Sequence, residues 1–209
     1  MNWLARLRVP YDVVAIKGFY DGYKWHQALW DAFPGMAKEK RKSLTRIEKK
    51  EWEYLVYILS EDEPIRPEWC PEESWALKEI ASSFLNHEFY RFDLIANPTK
   101  SVKKIGKDGK PTKNGTRLAL FRPEEQRMWI VRKGNEGGFT ILNETSLEIG
   151  KAQRMSFHQK GSEGCHYSVN FRGVLKVTDP KKFNKTFQKG IGTAKAFGFG
   201  MLLLQPINI

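Results

Sequence analysis

A tyrosine and a histidine, Tyr23 and His26, stand three residues apart in a segment with the pattern of a helix. Residues at this spacing lie on the same helical face, so both side chains can act at one place. An imidazole accepts or donates a proton near neutral pH, and a neighbouring phenol can orient or assist it. RNA carries its own nucleophile, the 2′-hydroxyl beside each phosphate. The pair is therefore suited to metal-independent RNA cleavage, although the spacing is equally typical of an ordinary amphipathic helix.

A glycine-rich run near the carboxyl end is the second candidate site. Gly190, Gly192, Gly198 and Gly200 surround Lys195. The run follows a helical segment and precedes an apolar one, the reverse of a dinucleotide-binding loop, and it lacks the Gly-Lys-Ser/Thr of a P-loop. Glycines let backbone N–H groups approach a phosphate closely, and a lysine adds positive charge. The run predicts a phosphate-binding surface, with a tight turn before a strand as the alternative.

Positive charge is concentrated in the second half of the chain. Residues 1–96 carry 14 Lys and Arg against 16 Asp and Glu, whereas residues 97–209 carry 21 against 8. Such a one-sided distribution indicates a polyanionic partner held by the second half. A lysine-rich loop and a hairpin suit contact with the phosphates of an A-form RNA duplex, unless they are simply solvated surface. The cations proposed for this contact are Lys100, Lys103, Lys104, Lys107, Arg117, Arg154 and Lys160.

Other site classes find little support in the sequence. Cys70 and Cys165 are far apart and have neither metal-ligand nor disulfide-framework spacing, which favours a reducing cytoplasm. His87, His158 and His166 lack acidic or cysteine neighbours at ligand spacing and are interpreted as structural. We expect no metal and no cofactor. Arg6 and Arg8 interrupt the first apolar stretch, and no segment approaches the roughly 20 apolar residues of a membrane span.

The elements that must position these residues repeat one order twice. The first half predicts a strand at 3–9, a helix at 21–33 capped by Asp21, strands at 43–49 and 53–60, a helix at 71–85 and a strand at 89–96. The second half predicts a strand at 117–121, a helix at 123–133, hairpin strands at 154–159 and 166–177, a helix capped by Asp179 and a strand at 196–205. The predicted fold is α+β, with two tandem ferredoxin-like (RRM-like) β-α-β-β-α-β domains at residues 1–97 and 98–209.

Four collinear blocks resemble one family over nearly the whole chain. They are residues 23–34, 91–100, 125–134 and 171–207, the last with the run Gly190-Ile-Gly-Thr-Ala-Lys-Ala-Phe-Gly-Phe-Gly200. This pattern resembles the CasE family, the CRISPR repeat endoribonucleases of type I-E Cascade. The resemblance implies cleavage at the 3′ base of a repeat stem-loop by the 2′-hydroxyl. It also implies a 2′,3′-cyclic phosphate, a 5′-hydroxyl, a retained crRNA product and other Cascade subunits as partners.

The resemblance places the family's helix histidine and tyrosine at His26 and Tyr23, and leaves open which is base and which is acid. It implies that the glycine-rich run supports an RNA-binding groove and that the hairpin at 154–166 engages the stem. The chain departs from familiar members in a longer segment at 11–22 and a more basic one at 38–42. The residues that neutralise the scissile phosphate are therefore not assigned. Alternatives are a non-catalytic RRM-like RNA-binding subunit and a basic ribosomal or tRNA-associated protein.

Overall fold

Two antiparallel sheets and a two-stranded ribbon form the fold of the computed structural model, which describes residues 2–35, 43–103, 115–159 and 162–208. The strands are β1 (Asn2–Pro10), β2 (Ser43–Lys49), β3 (Glu53–Ser60), β4 (Trp75–Ile80), β5 (Phe89–Ala96), β6 (Thr99–Val102), β7 (Thr116–Ala119), β8 (Phe139–Ile141), β9 (Glu148–Ile149), β10 (Gln153–Gln159), β11 (Ser162–Val177) and β12 (Leu202–Ile207). The helices are α1 (Tyr11–Lys17), α2 (Gly22–Ala28), α3 (Pro123–Glu136) and α4 (Pro180–Lys189). In the described ranges, every helix is too short or too polar to span a bilayer.

The first sheet has the strand order β2-β3-β1-β4. Its central strand alternates as the sequence predicts, since Ala5, Leu7 and Val9 are fully buried while the residues between them are exposed. Trp25 and Leu29, from α2 and the 3-10 turn that continues it, pack into the same core. The helix predicted at 21–33 is thus α-helical only to Ala28. A further short helix, α1, occupies part of the segment at 11–22 for which no element was predicted.

The helix predicted at 71–85 is wrong. The segment forms 3-10 turns at Glu72–Ser74 and Ser82–Leu85, with the edge strand β4 between them. Its apolar residues give a mixed signal, because Trp75 and Leu77 alternate as in a strand whereas Leu77 and Ile80 have helical spacing. The segment forms a strand because the edge of β1 is available for pairing. Strand β4 pairs with it from Trp75, opposite Leu7, to Ile80, opposite Asn2.

The second sheet has the order β10-β11-β5-β12, and β8 and β9 also pair with β11. Strand β5 was predicted to close the first unit, but it lies at the centre of this sheet. The second unit therefore runs β5-α3-β8/β9/β10-β11-α4-β12, again a β-α-β-β-α-β order. The strand predicted at 117–121 does not open this unit, because β7 pairs with β6 in the separate ribbon. The domain boundary after residue 97 stays a prediction. Strand β4 belongs to the first sheet and β5, the next strand, belongs to the second.

The carboxyl-terminal elements also differ in detail from the prediction. Asp179 caps α4 as expected, accepting a hydrogen bond from the Lys182 backbone N–H at 3.1 Å. The hairpin strands are longer than predicted, because Ser162 already pairs with Gln159. The final strand begins at residue 202 and not at 196, because positive φ angles at 194, 198 and 200 interrupt the extended backbone.

The two sheets share a buried contact that holds the units together. Leu44 and Leu59 of the first sheet belong to the core of the second. Arg46 of β2, 2% exposed, donates to the Glu48 carboxylate at 2.5 Å, the Asp93 carboxylate at 2.6 Å and the Asp93 carbonyl oxygen at 3.0 Å. Asp93 also accepts a hydrogen bond from Arg172 at 2.7 Å. This network joins β2 to the centre of the second sheet.

Candidate nucleic-acid interface and catalytic helix

The helix that carries the predicted catalytic pair begins at a well-formed cap. The Asp21 carboxylate accepts hydrogen bonds from the backbone N–H groups of Tyr23 at 2.9 Å and Lys24 at 3.0 Å. Tyr23 and His26 are both half-buried, at the rim of the core that Trp25 enters. The sequence predicts this position correctly, because the cap and the apolar stripe together fix which side of the helix faces inward.

Helix α2 packs against the glycine-rich run through Gly22. Gly22 precedes His26 by four residues, which places both on one helical face. A Cβ atom on Gly22 would lie 3.2 Å from the Phe197 ring, so this face meets the 3-10 turn at Lys195–Phe197. The helix also contacts β10. The imidazole of His26 meets the Trp30 ring edge-on, with ring centroids 6.1 Å apart.

The glycine-rich run folds into a closed turn. The Ile191 N–H donates to the Gly200 carbonyl oxygen, and the Gly200 N–H donates to Ile95 of β5, both at 2.8 Å. A side chain on Gly190 or Gly200 would clash with the opposite backbone, and both have positive φ. These two glycines therefore close a tight turn before the final strand, which is the alternative that the sequence analysis left open beside phosphate binding.

A cleft of about 560 Å³ opens between this turn, α3 and the β6–β7 ribbon. Of the residues predicted to bind RNA, the cleft is lined by Lys100, Arg117, Gly190, Gly192 and Lys195. They come from three separate parts of the chain, and the fold brings them together. Cations in a concave surface focus a positive potential that favours a phosphate backbone.

Lys195 is the least exposed of the three predicted cations that line the cleft. Its ammonium donates to the Lys189 carbonyl oxygen at 2.6 Å. Burial lowers the pKa of Lys195, and the neighbouring Lys189 and Lys133 lower it further. A bound phosphate would favour the charged ammonium and raise this pKa. Thr193, on the same wall of the cleft, has a buried hydroxyl without a hydrogen-bond partner.

Two cations of the cleft are absent from the sequence predictions. Arg132 and Lys133 of α3 line it together with Glu136, to which they donate at 2.9 and 2.6 Å. The hydrogen bond from Lys133 is the main cause of a lowered Glu136 pKa. Both cations lie in the block at 125–134 that carries the family resemblance, yet a charged helix face is usually a solvated one. Only the packing of α3 beside the turn shows that this face borders the cleft.

The other predicted RNA-binding residues that the structure describes do not line this cleft. Lys103 is exposed just after β6, and Arg154 is exposed on β10, opposite Tyr167. Gly198 and Gly200 are buried, and Gly198 lines a second cleft of about 500 Å³ between the sheets. Lys104 and Lys160, like Lys107 and the basic segment at 38–42, lie outside the described residues.

An ion pair partly neutralises the positive charge of the cleft. Lys100 donates to Glu125 at 2.8 Å, and this bond is the main cause of a lowered Glu125 pKa. Among the described residues, no group of three or more His, Cys, Asp and Glu side chains is arranged to hold a metal ion.

His166, predicted to be structural, packs among aromatic rings. It stacks on Phe157 with centroids 4.8 Å apart and meets Phe197 at 4.8 Å and Phe199 at 5.8 Å. Its Nδ1 lies 3.2 Å from the Asn97 amide nitrogen, and its buried Nε2 has no hydrogen-bond partner. Burial lowers the pKa of this imidazole.

Known proteins are similar to this chain in sequence and in fold. A family model described as CRISPR associated protein matches residues 2–206. The CRISPR-associated endoribonuclease Cse3 of Thermus thermophilus is 29% identical over 98% of this chain and 100% of its own. The Cascade subunit CasE of Escherichia coli is 28% identical over 90% and 93%. A solved structure of Thermus thermophilus Cse3, bound to an RNA representing a pre-cleavage complex, superposes with a TM-score of 0.77 at 27% identity, covering 98% and 99% of the two chains.

These matches run from the first strand to the last and include α2, the glycine-rich turn and both sheets. The order of elements, two β-α-β-β-α-β units of which the first lacks its second helix, is that of two ferredoxin-like domains. The predicted resemblance to CasE is confirmed by these relatives, and the chain belongs to the family of CRISPR-associated proteins.

Proposed function

We propose that this protein is the endoribonuclease that cleaves CRISPR repeat RNA at the base of its stem-loop, and that it keeps the resulting crRNA within Cascade. The observation that carries the proposal is the contact between α2 and the glycine-rich turn, which meet at Gly22 and Phe197. The same turn forms one wall of the basic cleft. Because His26 stands four residues after Gly22 on the helix, we infer that the proton-transfer group and the phosphate-binding surface border one another.

The relatives support the same activity. Cse3 and CasE are named as an endoribonuclease and a Cascade subunit, and Cse3 has been solved with bound RNA. For this chain we infer that the basic cleft and the β10–β11 hairpin hold the RNA by its phosphates. Each cation that contacts a phosphate releases a counterion, so affinity should fall steeply with salt.

The proposed reaction uses the 2′-hydroxyl of the RNA as nucleophile. The 2′-oxygen attacks the adjacent phosphorus, the bond to the 5′-oxygen breaks, and a 2′,3′-cyclic phosphate and a 5′-hydroxyl result. His26 moves a proton either from the 2′-hydroxyl or to the leaving 5′-oxygen, and Tyr23 orients or complements it. No step needs a metal ion. The proposed location is the cytoplasm, because Cys70 and Cys165 are both free thiols.

The test is cleavage of the host's own repeat RNA in the presence of EDTA. We expect cleavage by the unmodified protein to persist, and His26→Ala to lower the single-turnover rate by about 100- to 10,000-fold with little change in RNA affinity. Gln27→Ala, on an exposed position of the same helix, is the matched control. Cleavage that stops on chelation would refute metal independence.

Two further outcomes separate the alternatives. Tight binding without cleavage by the unmodified protein would leave an RNA-binding subunit, with Tyr23 and His26 incidental. Equal affinity for unrelated structured RNAs would favour a general ribosomal or tRNA-associated role.

If the protein retains its product, one equivalent of protein should cleave about one equivalent of RNA before the reaction slows. Sustained multiple turnover would contradict retention.

A further inference from the structure

A cluster of four aromatic rings joins the β10–β11 hairpin to the glycine-rich turn and contacts the helix α2 that carries His26. It consists of Phe157 of β10, His166 of β11, and Phe197 and Phe199 of the glycine-rich turn. His166 contacts all three of the other rings, and the Phe197 ring centroid lies 4.5 Å from that of Phe157 and 4.8 Å from that of His166. These four rings form the aromatic cluster.

The aromatic cluster reaches the catalytic helix through Gly22. The Phe197 Cδ1 atom lies 3.2 Å from the place where a Cβ of Gly22 would be, which is closer than ordinary van der Waals contact. Gly22 is the first residue of α2 after its Asp21 cap, and His26 stands one turn further on the same face. The position of the Phe197 ring therefore sets how near α2 lies to the turn and the hairpin.

Backbone geometry holds Phe197 in this place. Ala194 is, among the described residues other than glycine, the one with positive φ, and Gly198 and Gly200 have φ of 87°. These angles fold the run so that residues 197 and 199 both turn toward His166. On the other side, Asn97 is 6% exposed and binds both the His166 ring and the Tyr167 N–H. The cluster is thus fixed from the turn, the hairpin and the end of β5.

We propose that the aromatic cluster, which meets α2 through Phe197, is the positioning element that holds His26 in register with RNA bound by the β10–β11 hairpin and the basic cleft. This inference rests on the proposed function. Phe197 acts through α2 and is a positioning residue: truncating its ring leaves the cations of the cleft in place but frees α2 to shift. A shift of about 1 Å at a reacting group is enough to slow catalysis by about 100-fold.

The first experiment separates cleavage from binding. We expect Phe197→Ala to lower the single-turnover cleavage rate at saturating protein by about 10- to 100-fold, with repeat-RNA affinity within about threefold of the unmodified protein. Phe197→Tyr keeps the ring and should restore most of the rate. Phe84→Ala, a truncation of another half-buried ring, in the core of the second unit, is the matched control and should leave the rate unchanged.

A second variant changes the spacing without removing a ring. Gly22→Ala adds a methyl group against Phe197 and suits the helix, because Gly22 does not have positive φ. It should therefore lower cleavage while leaving the melting temperature within about 2 °C of the unmodified protein. A purely structural role for the contact would change stability and activity together. This variant also keeps the proposal testable if Phe197→Ala folds poorly.

The outcomes distinguish this inference from the proposed function. If His26→Ala abolishes cleavage while Phe197→Ala and Gly22→Ala cleave at the unmodified rate, the inference is overturned and the function stands. It is also overturned if Phe84→Ala loses as much activity as Phe197→Ala, or if the loss is entirely in RNA affinity. If the unmodified protein does not cleave repeat RNA, the proposed function itself fails.

Discussion

Replacing Asp93 by alanine should destabilise the protein more than replacing its buried partner Arg46 by methionine. Arg46 is 2% exposed, and the Asp93 carboxylate lies 2.6 Å from its guanidinium. Removing the acid leaves a buried cation with only the Glu48 carboxylate and the carbonyl oxygen of residue 93. Breaking a buried ion pair in this way costs about 3–5 kcal/mol, and because the Glu48 contact remains we expect a loss of about 3 kcal/mol.

Arg46→Met removes the cation and fills its place with an apolar side chain. Each abandoned carboxylate keeps another cation, since Asp93 retains Arg172 at 2.7 Å and Glu48 retains Lys50 at 2.5 Å. Both carboxylates are also partly solvated, with exposed side-chain fractions of 25% and 14%. The principal loss is the hydrogen bond to a carbonyl oxygen, about 1–2 kcal/mol.

Thermal unfolding monitored by circular dichroism measures the difference. At about 2–4 °C per kcal/mol for a chain of this size, Asp93→Ala should lower the melting temperature by about 6–12 °C and Arg46→Met by clearly less. Glu53→Ala breaks the more exposed pair with Arg8, whose side chain is 60% exposed, and should cost at most about 1 kcal/mol. If Arg46→Met destabilises as much as Asp93→Ala, the reasoning from an uncompensated buried charge is refuted.

Three other perturbations have expected outcomes. Burial raises the pKa of Cys70 to about 11, so at pH 8 iodoacetamide should label the exposed Cys165 first; equal labelling would contradict the buried position of Cys70. Burial lowers the pKa of His166 from 6.5, so the unfolded chain binds this proton more readily and stability should fall as pH drops below about 6.5. His166→Phe should flatten the melting-temperature profile between about pH 5 and pH 8, and an unchanged slope would exclude this histidine. Gly138→Ala places a methyl 2.5 Å from a backbone carbonyl oxygen at φ 84° and should cost more than about 2 kcal/mol, whereas Gly35→Ala, at φ 83° with open space, should cost about 1 kcal/mol; equal melting temperatures would contradict the steric account.

Local signals in the sequence are sufficient for much of the fold. The alternation of β1 and the caps Asp21 and Asp179 depend on neighbouring residues alone, and the structure confirms them. Segment 75–80 carries two competing patterns, and its strand form depends on pairing with β1, which is distant in sequence. The same holds for β5, whose own pattern predicts a strand but not the sheet that it joins.

The candidate site divides in the same way. Tyr23 and His26 are identified by spacing on one helix, and Lys195 by its glycine-rich surroundings. Arg132 and Lys133 are not, because their part in the cleft follows from how α3 packs beside the turn. The contact between Gly22 and Phe197 joins residues 175 positions apart, and no local pattern announces it.

Strand β11 runs without interruption through sixteen residues, the first seven paired with β10 and the next eight with β5. At about 3.3 Å per residue the strand is roughly 50 Å long, and its first half extends beyond β5 as one strand of the hairpin. Successive side chains point to opposite faces of the strand, so the pattern repeats every two residues. Inserting or deleting two residues in each strand would move the tip by about 7 Å and keep every face, whereas a change of one would turn the outer surface inward. Evolution or design can therefore adjust how far this protein reaches along a partner in whole steps of that size.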